Sequence, residues 1–318
     1  MALPKATRRP QILSQDDTIR LAPPAKPRGG LRAWLAAGAV VLFMAIGGTA
    51  WFMRHPAPFP LASESTIFHH VSRHFTVFRF ADDPLILVVD CPNLHAQGLM
   101  FDRIAALIEK ADAPKNRVLS AAGFQARLVA ADLTIGDYYY GNDYPARALR
   151  RFFRLVHAEH LTLNPQERRL RAIAARAGFM TPGANGAVIS IPQAGSGHRV
   201  DLRARAVILR HELSHGAYYT IPAYHAFVHH FYNTVMTAPE RAAFQAFLVR
   251  QGYDAGYHGL IVNETLAYLI FTRDKDFFRA GAVGLSRATI AALRSQFVAT
   301  MPDFWLKPLA SAPLPIRG

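Results

Sequence analysis

Between Arg32 and Arg54 lie 21 consecutive residues without a charge, residues 33–53. As an α-helix rising about 1.5 Å per residue, such a run spans roughly the 30 Å hydrocarbon core of a bilayer, so a single transmembrane helix is expected there. Arg8, Arg9, Arg20, Lys26, Arg28 and Arg32 precede it. The positive-inside bias therefore places the N-terminus in the cytoplasm and the chain after about residue 54 on the outer side. Trp34 and Trp51 stand near the two ends, where indoles favour the interface. A cleaved signal peptide is the rival reading, because Gly48-Thr49-Ala50 has cleavage-site spacing. The long basic segment before the run, and a run longer than a signal core, favour an uncleaved anchor. Arg8-Arg9 lies too far from the run for a twin-arginine signal.

The formal net charge is +14. The first 32 residues supply +5 of it, with seven Lys or Arg against Asp16 and Asp17, and the remaining +9 is spread along a much longer stretch. Charge alone suits nucleic acid, an acidic membrane surface or an acidic polymer. The topology argues against nucleic acid. Cys91 is the single cysteine, so no intramolecular disulfide can form, and its place after an apolar run marks it as a buried small residue.

Residues 1–32, with five prolines, read as a basic cytoplasmic tail. Residues 33–53 are the anchor, 54–180 the first part of an extracytoplasmic domain and 181–318 its catalytic part. Residues 85–90 read as a buried strand, followed by a helix with Ile104, Leu107 and Ile108 at helical spacing. Asp143-Tyr144-Pro145 can start a helix whose apolar face is Leu149, Phe152, Phe153 and Val156. Its other face, Arg147, Arg150, Arg151 and Arg154, reads as solvated surface, with an anionic lipid or envelope polymer as the minority reading. Asn164-Pro165 caps a helix expected to run to about Ala177 and stop at Gly178. Residues 187–191 form a short β-branched strand, and Pro192, which cannot donate to a ladder, suggests an edge position. Asp201 can then cap a helix that sets Ala204, Val207, Ile208, His211 and His215 on one stripe. The fold class expected is α+β and mostly helical.

Residues 210–216 read RHELSHG. His211 and His215 are one helical turn apart, so both imidazoles can point to one ion. Neutral imidazole is a good zinc ligand, and two leave room for a third protein ligand and a water. Glu212, next to His211, can reach the open position, take a proton from the attacking water and pass it to a leaving amine. The third ligand must come from elsewhere. A histidine ten residues after the first is ruled out, because positions 218 and 221 are Tyr218 and Ile221. The acids downstream are Glu240, Asp254 and Glu264, with His225, His229, His230 and His258 as further candidates. Glu240 follows Thr237-Ala-Pro and has a capping job. Glu264 lies in LIVNETLAYLIF, residues 260–271, an otherwise apolar helical stretch where a carboxylate needs a partner. Zinc is the partner expected.

The set His211, Glu212, His215, Asn263, Glu264 and Ala267 resembles the gluzincin group of zinc metallopeptidases, in which HExxH on one helix is joined by a glutamate, often after Asn, on a later helix. The resemblance covers about residues 186–275. It implies a zincin core of two metal-binding helices, an edge strand that pairs with extended substrate (here 187–191), and amide-bond hydrolysis. The sequence departs from the group in the 48 residues between His215 and Glu264, and in Tyr268 where thermolysin-like enzymes place an Asp. For the donor to the developing oxyanion, Tyr218, Tyr219, Tyr224, Tyr253, Tyr257 and His258 are open, with Tyr257 and His258 in a Gly-rich loop that can flank a cleft.

The function expected is a zinc-dependent metallopeptidase on the outer side of a bacterial inner membrane, with a peptide or protein of the cell envelope as substrate and no nucleic-acid partner. The bacterial assignment rests on the resemblance. The alternatives are a zinc-containing binding or assembly protein without turnover, and a metal-free anchored interaction module.

Overall fold

In the computed structural model, which describes residues 58–196 and 200–316, the chain begins with β1 (Leu61–Ala62), α1 (Glu64–His69), β2 (Thr76–Phe80) and β3 (Ile86–Cys91). Then follow α2 (Leu94–Ile108), α3 (Ala121–Ala130), β4 (Asn142–Pro145), α4 (Ala146–Ala158), α5 (Pro165–Arg176) and β5 (Ala187–Pro192). The rest is helical: α6 (Leu202–Thr220), α7 (Pro222–His230), α8 (Ala238–Arg250), α9 (His258–Leu266), α10 (Ala280–Val283), α11 (Arg287–Thr300) and α12 (Leu306–Leu309). This is an α+β architecture dominated by helices. The tail and the anchor, 1–32 and 33–53, lie outside the described residues. Among the described residues no helix is long and apolar enough to cross a membrane.

One mixed sheet orders its strands β1-β2-β3-β5-β4. β3 and β5 run parallel in register from Ile86↔Ala187 to Cys91↔Pro192, while β2 and β4 flank them antiparallel. The described residues from Pro58 on form a single compact unit, so the boundary expected at 180/181 falls between strands of the same sheet. Both central strands are fully buried, which is why they read as continuous apolar runs. Leu87, Val89, Cys91 and Val188 face a core with Met100, Phe101 and Ile104 of α2 and Phe152 of α4. Ile86, Val88, Ile189 and Ile191 face Ala206, Ile208, Leu209 and Leu213 of α6. A third core joins the end of α6 to α7, α8, α9 and α11. α6 approaches the sheet closely: a Cβ on Gly216 would press on the Ile86 side chain.

Two sequence expectations are corrected. The strand at 187–191 is not at the edge, since β5 sits between β3 and β4. Pro192 is its last residue, where a missing N–H breaks no interior rung. The edge strand beside it is β4, so Asp143 and Tyr144 belong to a strand rather than a helix start. The helix begins one residue after Pro145, whose φ of −66° suits its N-cap position. Other local signals hold. Asn164 and Glu167 form a reciprocal capping box on α5, Gly178 turns away with φ of +81°, and Asp201 caps α6 through the Ala204 N–H at 2.7 Å. Cys91 is buried, and burial pushes its thiol well above the usual range.

Candidate metal centre

α6 places His211, Glu212 and His215 along the side that meets β4 and the second half of the molecule. Across from it, α9 carries Asn263 and Glu264 and continues into a π-helical turn, Ala267–Phe271. Such wide turns often occur at functional sites. Here the turn leads to Thr272, whose hydroxyl donates to the Ala267 carbonyl at 3.2 Å and meets Nδ1 of His211 at 2.7 Å. With the hydroxyl's proton committed, Thr272 accepts from Nδ1–H, which leaves the Nε2 lone pair of His211 free to bind an ion. The Tyr268 ring packs edge-on against His211, centroids 5.0 Å apart.

Three donors converge. Nε2 of His211 and Nε2 of His215 are 3.0 Å apart, and each lies 3.6 Å from a carboxylate oxygen of Glu264. Two atoms bound tetrahedrally to zinc at about 2.0–2.1 Å stand about 3.3 Å from each other, so the three observed spacings bracket the value a zinc site needs. The chemistry of the set agrees. Burial lowers His211 to about 3 and His215 to about 4, the Glu264 carboxylate partly opposing the latter, so both rings are neutral ligands. Glu264 is buried, and its Oε2 has no hydrogen-bond partner. A buried carboxylate oxygen left in that state is costly unless a cation takes it. The residues fit zinc.

Glu212 is buried as well, and its Oε2 is likewise without a partner. Gly141, just before β4, makes room for it, because a Cβ there would overlap the Glu212 carboxylate. Burial pushes the Glu212 carboxyl well above its usual range, with the charges of Asp143, Glu264 and Glu109 adding to the effect.

Behind His215 stands a chain that the sequence did not disclose. Asn263 Nδ2 donates to the Tyr219 hydroxyl at 3.4 Å, which donates to Asp143 Oδ2 at 2.7 Å, and that oxygen is 3.9 Å from His215 Nδ1. Asp143 of β4 thus faces His215 Nδ1 from beyond hydrogen-bond distance. Asp143, Glu212 and His215 also form the second group of three convergent donors among the described residues, sharing His215 with the first. Glu109, at the C-terminus of α2, is raised to about 7 by burial and then by the charge of Glu264, with Tyr144, Tyr139 and Lys110 opposing. Lys110 sits against the Tyr138, Tyr139 and Tyr253 rings. Tyr219 lies one turn after His215 on α6, but nothing short-range in the sequence links residues 109, 143 and 253 to that helix.

A cavity of about 300 Å³ opens on His211 and Glu212 and is lined further by Tyr139, Tyr140, Tyr268 and Lys110. Tyr257 and His258 are not part of this lining. Tyr257 is exposed and borders a different cavity, and the His258 ring packs near those of His229 and Tyr232. Glu240 makes the expected capping box with Thr237. Asp254 pairs with Lys115 at 3.7 Å, and His225 and His229 pack on Tyr218.

No protein-family model matches the chain, and no curated protein or solved structure matches it.

Proposed function

We propose that the protein is a zinc-dependent metallopeptidase, held by residues 33–53 to the outer face of a bacterial inner membrane and hydrolysing peptide bonds of an envelope peptide or protein. The observation that carries the reading is the convergence of His211 Nε2, His215 Nε2 and the Glu264 carboxylate at 3.0–3.6 Å, beside a buried glutamate with a free oxygen. The packing of α6 on the edge strand β4, with Glu264 of α9 facing the α6 histidines, supports a gluzincin-like core.

His211, His215 and Glu264 would hold the ion, which when bound supplies a Lewis acid that polarises a carbonyl and acidifies water. Glu212 takes the proton of the attacking water on its unpartnered carboxylate oxygen and returns it to the departing amine. Gly141 lets that carboxylate lie against the backbone next to β4. Thr272 fixes the tautomer of His211, and Asp143, itself held by Tyr219, faces Nδ1 of His215. The ligand geometry is thereby set before substrate arrives. β4 is paired on one side by β5, and an extended peptide would add to its other edge.

The test is purification of the full-length chain in detergent, parent and Glu212→Gln, followed by zinc analysis and incubation with a random peptide mixture. Both proteins should carry one zinc per chain, and only the parent should cleave peptides. Zinc without cleavage in the parent would favour a binding or assembly role, and no zinc in either would leave a metal-free anchored module.

A further inference from the structure

A second cavity, of about 500 Å³, lies between α4, the C-terminal end of α6 and the start of α9. Its volume falls in the range of roughly 300–1,000 Å³ that small-molecule sites occupy. Its walls are apolar: Leu107, Ile108, Pro145, Ala148 and Leu260, with the rings of Tyr218 and Tyr219. Its basic lining comes mainly from α4, through Arg147, Arg151 and Arg154. Arg147 and Arg154 are exposed and form no ion pair among the described residues, and Arg151 donates to the Lys115 carbonyl rather than to an acid. Of the acids lining the cavity, Asp254 is paired with Lys115 and Asp143 accepts from Tyr219, while Glu109 is buried. Arg147 and Arg154 thus stand without an ion-pair partner among the described residues beside the apolar part of the lining, while Glu109, Lys115, Asp143, Asp254 and Asn263 make up its polar remainder. Arg147, Arg150, Arg151 and Arg154 also line the neighbouring groove with Arg171, which extends the same charge along the surface.

We propose that this cavity, which borders the metal centre through Asp143, Tyr219 and Asn263 but does not include His211, Glu212, His215 or Glu264, takes a small anionic amphiphile, its apolar body against Leu107, Ala148 and Leu260 and its carboxylate or phosphate head on Arg147 and Arg154. The pairing follows from charge and shape together. A simple anion would leave the apolar walls wet, and a neutral hydrocarbon would leave the guanidinium groups unused. Arginine suits both head groups, because its planar fork donates in pairs to carboxylate and phosphate oxygens. The sequence alone allowed the arginine face of α4 to be read as solvated surface. Its position beside an apolar cavity gives it a ligand.

Isothermal titration of the full-length chain in an uncharged maltoside detergent tests the assignment, with octanoate, octyl phosphate, octanol and acetate as probes. Octanoate or octyl phosphate should bind at one site, at least about tenfold more tightly than octanol or acetate, and the tighter of the two identifies the head group. Arg147→Gln with Arg154→Gln, two exposed changes, should weaken that binding about tenfold, and Ala148→Phe should block it. Both variants should keep the parent melting temperature and zinc content. Acetate binding as well as octanoate would reduce the feature to a plain anion site and overturn the proposal. So would octanol binding equally well, unaltered binding in both variants, or no binding by any probe. None of the binding measurements requires the metal, so the proposal stands or falls independently of peptidase activity.

Discussion

Helix α6 carries two buried polar clusters within three turns, and they are built in opposite ways. At its start Arg205 is almost fully buried against Asp90, with both Nη atoms on the carboxylate at 2.8 and 3.0 Å. The remaining donors go to the carbonyls of Ile67, Phe68, His70 and Pro192 at 2.7–3.2 Å. Asp90 Oδ2 also accepts from Gln193 Nε2 at 2.8 Å and meets His70 Nδ1 at 2.7 Å. That cluster is closed, because charges and hydrogen bonds are matched inside it. Two turns on, His211, Glu212, His215 and Glu264 converge with two carboxylate oxygens and His215 Nδ1 unpartnered. Burial of a polar residue therefore says little by itself. Whether its bonding capacity is used up separates a structural clamp from a site built for something further.

The largest effect should fall on the clamp. Arg205→Met strands Asp90 among carbonyls, and loss of one partner of a buried pair costs about 3–5 kcal/mol. Chemical denaturation should show that loss, and unchanged stability would mean that the closed cluster is not what holds α1, β3 and α6 together. Next in size is Glu264→Gln. It should leave the zinc-free protein about as stable as the parent while weakening zinc by 100-fold or more, about 2.7 kcal/mol. In Glu240→Gln, by contrast, zinc should bind normally with only a cap lost, about 0.5–2 kcal/mol. A drop in zinc affinity for Glu240→Gln alone would transfer the ligand role. Asp143→Asn should weaken zinc by about 10–100-fold with the three donors intact, because the support of His215 changes. Normal zinc affinity would show the 3.9 Å approach to be incidental.

A further effect is one of pH and lies outside both clusters. Asp102 of α2 is raised from 3.8 to about 7, by burial first, with Lys110 and the Gly136 N–H opposing and Glu109 adding. A carboxyl raised on folding contributes stability in its protonated form, fully present below its unfolded value of 3.8 and lost as pH climbs through about 7. Between pH 5 and pH 8 the parent should therefore lose about 2 kcal/mol more than Asp102→Asn. Parallel stability curves for the two proteins would refute the shift.

What the sequence disclosed follows from the range of the interactions involved. Caps at Asn164, Asp201 and Thr237, the buried strand at β3 and the one-turn spacing of His211 and His215 are local, and the structure shows each. Glu264 was legible because a lone carboxylate in an apolar helix signals a partner. The edge strand was misplaced because Pro192 ends a strand as readily as it marks an edge, and neighbour order in a sheet is a long-range property. Asp143 and Glu109 are not legible as part of the site for the same reason, each coming from a different element, and Tyr219, a candidate donor on α6, shows its contact with Asp143 only in the fold. A Gly-rich loop suggests Tyr257 and His258 from sequence, but the lining of the cleft at His211 and Glu212 comes from other residues, among them Tyr139, Tyr140 and Tyr268.

X-ray absorption at the zinc edge of the purified, zinc-saturated full-length protein tests the central claim most directly. The account predicts one zinc per chain with two imidazole nitrogens at about 2.0–2.1 Å and oxygen ligands completing the shell, one oxygen ligand being replaced or the metal lost in Glu264→Gln. A shell with three imidazoles, a shell unchanged in Glu264→Gln, or a protein that retains no zinc would contradict it.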